Sequence, residues 1–175
     1  MTQKHFKQLG LFAECDPSIK VPKEATKWTL FTDGASRRNP GPSGAGIYIM
    51  KNEEPFFKKG VFLGTKTNNQ AEYLALVLGI YYIKKNIEFN DALFIMSDSE
   101  LLIRQMKGEY QVKNKELKQL FQLSHELLQN IHHSFCHVLR EYNKEADSMA
   151  NHGIDSKVAP PQTFLALLRN HELQI

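Results

Sequence analysis

The 175-residue chain has the length of one ordinary domain with a short extension, and 42% hydrophobic with 23% charged content is globular composition, not that of a disordered chain. A net charge of +3 is compatible with a polyanionic partner but too small to establish one without local clustering. Cys15 and Cys136 stand far apart with no Cys-x-x-Cys spacing, so no zinc site is suggested and two reduced thiols are expected. No apolar run approaches the ~20 residues of a membrane span, and the expected setting is cytoplasmic.

Residues 1–27 lack sustained periodicity and read as a flexible extension ahead of a domain over 28–155. From Trp28 the runs "WTLFTDGA", "GAGIYIM" and "PFFKKGVFLG" are rich in strand formers and separated by turn residues, which predicts an antiparallel meander. The period then changes. In "NNQAEYLALVLGIYYIKKN" apolar residues recur at helical spacing, with Asn68 or Asn69 as the expected cap. "ALFIMSD" reads as a strand buried on both faces. "SELLIRQM" and "NKELKQLFQLSHELLQN" read as helices, "HSFCHVLR" as a strand, and "NKEADSMANHG" as a helix stopped at Gly153. Residues 156–175 form a tail with a Pro-Pro break and a short helical stretch.

Four acids occupy comparable places. Asp33 and Asp98 lie at strand ends, Glu72 and Asp147 in early helical turns. The carboxyl ends of parallel strands and neighbouring helix starts form a crevice in which acids distant in sequence can meet. Four carboxylates in one place repel one another unless protons or cations intervene. With no Cys or His in the set, hard oxygen donors favour Mg²⁺ or Mn²⁺, and a pair of such ions performs in-line phosphoryl transfer. Taken singly, each acid also suits helix capping or the helix dipole.

The segments "FTDGASRRNPGPSGAG", "TNNQAEYLALVLGI", "IMSDSELLIRQMKG" and "REYNKEADSMAN" resemble, in order, the motifs of the type 1 ribonuclease H family. That resemblance implies an α/β fold in which a five-stranded mixed sheet, three antiparallel strands followed by parallel ones, is flanked by helices. It implies two-metal cleavage of the RNA strand of RNA–DNA hybrids, leaving 3′-hydroxyl and 5′-phosphate ends. Asp33, Glu72, Asp98 and Asp147 match the family's metal-binding catalytic acids. Asn39, Asn68 and Gln70 match positions along the hybrid, where amides donate to and accept from ribose hydroxyls and base edges.

The chain departs from larger relatives in two respects. "VLREYNKEAD" leaves no room for the loop that carries an assisting histidine, so the chain resembles the compact variant, and neither His137 nor His152 is assigned that role. Arg140 is the better candidate for a phosphate contact. "MKGEYQVKN" replaces a basic insertion, and sparse charge at Lys107, Lys113 and Lys115 predicts weak hybrid affinity with a modest salt slope. A monomer is expected.

Ahead of the domain, "QLGLF" resembles the peptide with which bacterial replication proteins bind the sliding clamp. Gln8 would anchor it while Leu9, Leu11 and Phe12 fill an apolar groove, or these side chains dock on the domain itself. Tethering would raise the local concentration of a weakly binding nuclease. The alternatives to a hybrid-specific enzyme are a nuclease of the same fold acting on duplex RNA or 3′ ends, and a non-catalytic nucleic-acid-binding module.

Overall fold

The computed structural model describes Cys15 and residues 24–175; the motif Gln8 to Phe12 lies outside the described residues. Three strands, β1 (Lys27–Ser36), β2 (Gly41–Lys51) and β3 (Glu54–Lys66), form the antiparallel meander. Asn52 and Glu53 join β2 to β3, both with positive φ, the backbone a two-residue hairpin requires. β4 (Ala92–Ser97) lies parallel to β1, and β5 (His132–His137) parallel to β4. The resulting order is β3-β2-β1-β4-β5, the five-stranded mixed sheet expected of the sequence.

Helix α1 (Asn68–Ile83) is buried nearly all round, so its sequence is apolar on every side. Its cap is Thr67 rather than Asn68 or Asn69. Thr67 Oγ1 accepts from the Gln70 amide and Gln70 Oε1 accepts from Thr67 N, a reciprocal pair that outcompetes a lone asparagine. Helices α2 (Glu100–Met106), α3 (Lys115–Leu127) and α4 (Lys144–Ser156) follow, and α5 (Gln162–Asn170) closes the chain. Among these helices, none is long and apolar enough to cross a membrane.

The expected stop of α4 at Gly153 is not observed. The helix continues to Ser156 and ends on Lys157 in the left-handed conformation. Gly153 serves packing instead, because a Cβ there would come within 2.5 Å of Val61 O on β3.

The sheet is covered on both faces. One face presents Trp28, Leu30, Ile47, Ile49, Val61, Leu63, Leu93 and Ile95 to α1, α3 and α5, and the tail contributes Phe164, Leu168 and Leu173 to this core. The opposite face carries Phe31, Met50, Met96 and Cys136 beside Ala146 of α4. The two cysteines expected to be free thiols are joined there as a disulfide, 121 residues apart in sequence. Met96 pairs with Phe31 on one side and Cys136 on the other, so the link lands on the sheet just below the acid-bearing ends of β1 and β4.

Candidate active site

The parallel pairing of β1 with β4 sets the site. It places Asp33, near the end of β1, beside Asp98, the residue after β4's Ser97. Glu72 approaches from α1, whose start packs so closely on β1 that a Cβ at Gly34 would lie 2.1 Å from Glu72 N. Gly34 N donates to Glu72 Oε2 at 3.2 Å. Asp147 comes from the first turn of α4, with Arg140 Nη2 donating to its Oδ1 at 3.2 Å. All four carboxylates line one open cleft of ≈ 420 Å³ together with Ser36, Asn68, Ser99, Arg140 and Asn151.

Charge is crowded in this cleft. Burial, followed by the negative charges of Asp98 and Asp147, pushes the Asp33 carboxyl up to about 7, while Arg140 pulls it down. Glu72 is raised well above its ordinary value by burial and then by Asp33 and Asp98, against the Gly34 N–H and Arg140. The guanidinium of Arg140 is itself raised, chiefly by its hydrogen bond to Asp147. A single exposed arginine facing four carboxylates leaves excess negative charge, and an all-oxygen donor set fits Mg²⁺ or Mn²⁺. Among the described residues no group of three or more His, Cys, Asp or Glu is already arranged to hold one ion.

Around the cleft, Asn39 follows the turn out of β1, and its Oδ1 accepts from Asn68 N at 3.1 Å, so these two residues adjoin at the rim. Gln70 is engaged within the protein. Besides its capping role, its Nε2 donates to Glu116 Oε2 of α3 at 2.6 Å. No histidine is among the residues lining the cleft; His137 ends β5 and His152 Nδ1 meets Ser156 Oγ on α4.

Sequence reading passed over Asn143. It reads as an ordinary helix-opening residue, yet it is fully buried and its Nδ2 donates to Asp98 Oδ1 at 2.6 Å. Nothing local distinguishes it from a cap, since the contact joins residues 45 apart. The glycines of β2 and β3 were equally silent. A Cβ at Gly46 would lie 2.0 Å from Ala146 O, and one at Gly60 1.9 Å from Met149 O, so α4 rests on bare backbone.

A mixed sheet of this order, with acids gathered where β1 and β4 end, has the ribonuclease H-like fold. Residues 31–153 match the model of the reverse transcriptase-like family, and the chain belongs to that family. It is 33% identical over 140 residues to ribonuclease HI of Halobacterium salinarum, covering 79% of this chain and 69% of that protein. Ribonuclease H of Pseudomonas putida is 29% identical over 140 residues, 72% of this chain and 92% of its own length. Among solved structures, LC11-RNase H1 in complex with an RNA/DNA hybrid superposes with a TM-score of 0.69 at 32% identity, covering 74% of this chain and 97% of the other.

Proposed function

We propose that the protein is a type 1 ribonuclease H of the compact kind, an endoribonuclease that hydrolyses the RNA strand of RNA–DNA hybrids to 3′-hydroxyl and 5′-phosphate ends. The observation that carries this reading is the convergence of Asp33, Glu72, Asp98 and Asp147 from four separate elements on one cleft. A binding module gains nothing from clustered carboxylates facing phosphates. The hybrid held by the structure of LC11-RNase H1 supports the choice of substrate.

In this reading the four carboxylates would hold two Mg²⁺ ions, with Mn²⁺ as a substitute, and when bound the ions would supply activation of water and charge stabilisation at the leaving oxygen. Asp33, whose carboxyl feels the charges of Asp98 and Asp147 and acts in turn on Glu72, would be the central ligand of the set. Arg140, 81% exposed at its side chain, is free to leave Asp147 for the phosphate. Asn39 and Asn68 present amides along the rim for ribose hydroxyls, and Gln70 joins them on exchanging Glu116 for the hybrid.

Cleavage of a labelled RNA–DNA hybrid in Mg²⁺ or Mn²⁺, beside single-stranded RNA, duplex RNA and duplex DNA, tests the reading. RNA-strand cleavage confined to the hybrid and at least ~10³-fold lower in Asp98→Asn is expected. Equal cleavage of another duplex, or activity that survives the substitution, refutes it. The clamp contact through Gln8, Leu9, Leu11 and Phe12 rests on sequence. It predicts micromolar binding of that peptide to a bacterial clamp, lost in the Leu11→Ala, Phe12→Ala pair.

A further inference from the structure

We propose that Asn143 is a positioning residue that fixes three of the four carboxylates relative to one another. The proposal rests on the metal-dependent reading above. Asn143 opens α4, where asparagine ordinarily caps by accepting a backbone N–H through its side-chain oxygen. Here the side chain makes no capping hydrogen bond. The amide instead donates through Nδ2 to Asp98 Oδ1 at 2.6 Å and to the backbone oxygen of Thr32 at 3.0 Å. Thr32 is the residue before Asp33. The backbone oxygen of Asn143 in turn accepts from Asp147 N at 3.0 Å. One residue therefore ties the end of β1, the end of β4 and the first turn of α4 together.

The orientation of the amide is dictated by its partners. A carboxylate oxygen and a peptide oxygen are both acceptors, so only the NH₂ group can face them. The consequence is visible on the other side of the amide, where Oδ1 is buried without a partner. A residue retained for capping would use that oxygen. Leaving it unpaired is unfavourable, and what the arrangement secures is a donor aimed at Asp98. A partner that orients a ligating carboxylate commonly changes metal affinity or activity by 10–100-fold when removed.

The discriminating variant is Asn143→Ser. Serine caps helices about as well as asparagine, yet its short side chain cannot reach Asp98. Mn²⁺ affinity of the metal-free protein is read by calorimetry, melting temperature by circular dichroism, and kcat and KM on the hybrid in parallel. The expected result is a melting temperature close to that of the unaltered protein, Mn²⁺ affinity at least ~10-fold weaker, kcat lowered similarly at fixed Mg²⁺, and an unchanged KM for the hybrid. Asn143→Ala should show the same losses together with a lower melting temperature. Unaltered Mn²⁺ affinity and kcat in Asn143→Ser would overturn the proposal and leave Asn143 a buried residue with no role in placing the carboxylates. If the unaltered protein binds Mn²⁺ but cleaves no hybrid, the ribonuclease reading fails, while the calorimetry on Asn143→Ser still decides the positioning role.

Discussion

The two faces of the sheet are built on different principles. Under α1, α3 and α5 the contact is made mostly by large side chains, with Leu30, Ile47, Leu76, Leu78 and Ile80 fully buried and bare backbone meeting the helix at Gly34, beside the start of α1. Under α4 it is made by absence of side chains, with Gly44, Gly46 and Gly60 admitting the helix backbone itself. The first face is held by summed apolar volume, which side chains can redistribute. The second is held by hard contact distances that nothing nearby can absorb. The acidic cleft lies where the two meet, taking Glu72 from one side and Asp147 from the other.

The largest expected effect concerns that junction. Asp33 titrates near 3.8 when unfolded and about 7 when folded. Between these values the folded, metal-free protein keeps a proton the unfolded chain has released, so stability falls as pH rises. The penalty is absent below about pH 4 and complete above about pH 7, on the order of 4 kcal/mol. Melting of the metal-free protein across this range should show the decline, and millimolar Mn²⁺ at pH 8 should reverse it. A melting temperature flat with pH would mean that the junction carries no such strain.

Next comes the glycine face. Gly46→Ala sets a methyl 2.0 Å from Ala146 O, and α4 must move to admit it. About 3 kcal/mol of stability should be lost in denaturant unfolding. Hybrid cleavage should fall by roughly 10²-fold, because a displacement near 1 Å carries Asp147 and Asn143 away from Asp98. An unaltered kcat would show that the second face can absorb volume after all.

The same division explains what could be read from the sequence. Elements of the first face announce themselves, since α1 is a long run that is apolar on every side and the strands are runs of strand formers between turn residues. The four acids were legible as strand-end and helix-start residues, and their order matched known motifs. The second face is written in glycines and in partners far apart along the chain. Gly46 and Gly60 sit inside runs that read simply as strands, Gly153 looks like a helix stop, and Asn143 looks like an ordinary helix-opening residue. The bond between Cys15 and Cys136 has no local signature, because both the spacing of 121 residues and the pairing through Met96 belong to the folded sheet.

That bond gives a third test. It closes a long loop onto β5, and disulfides over such separations stabilise mainly by restricting the unfolded chain. Reduction, or the Cys15→Ser, Cys136→Ser pair, should cost about 2–3 kcal/mol, roughly 5–10 °C in melting temperature. Equal melting of the oxidised and reduced protein would show that the second face is closed without the covalent link.

The smallest effect is the most direct contrast with Gly46→Ala: one methyl removed from the first face in place of one added to the second. Ile80→Val takes a methyl from a fully buried position on α1. Loss of its transfer free energy and the small cavity left behind amount to about 1 kcal/mol. Neighbouring aliphatic side chains can close part of that space. Glu72 lies more than two turns earlier on the same helix, held by the Thr67–Gln70 capping pair and by Gly34 N, so the start of α1 should not shift. Denaturant unfolding should therefore register the change while kcat on the hybrid stays within a factor of two. A kcat that fell as it does in Gly46→Ala would mean that the first face also transmits displacement to the carboxylates, and the mechanical difference between the two faces would be lost.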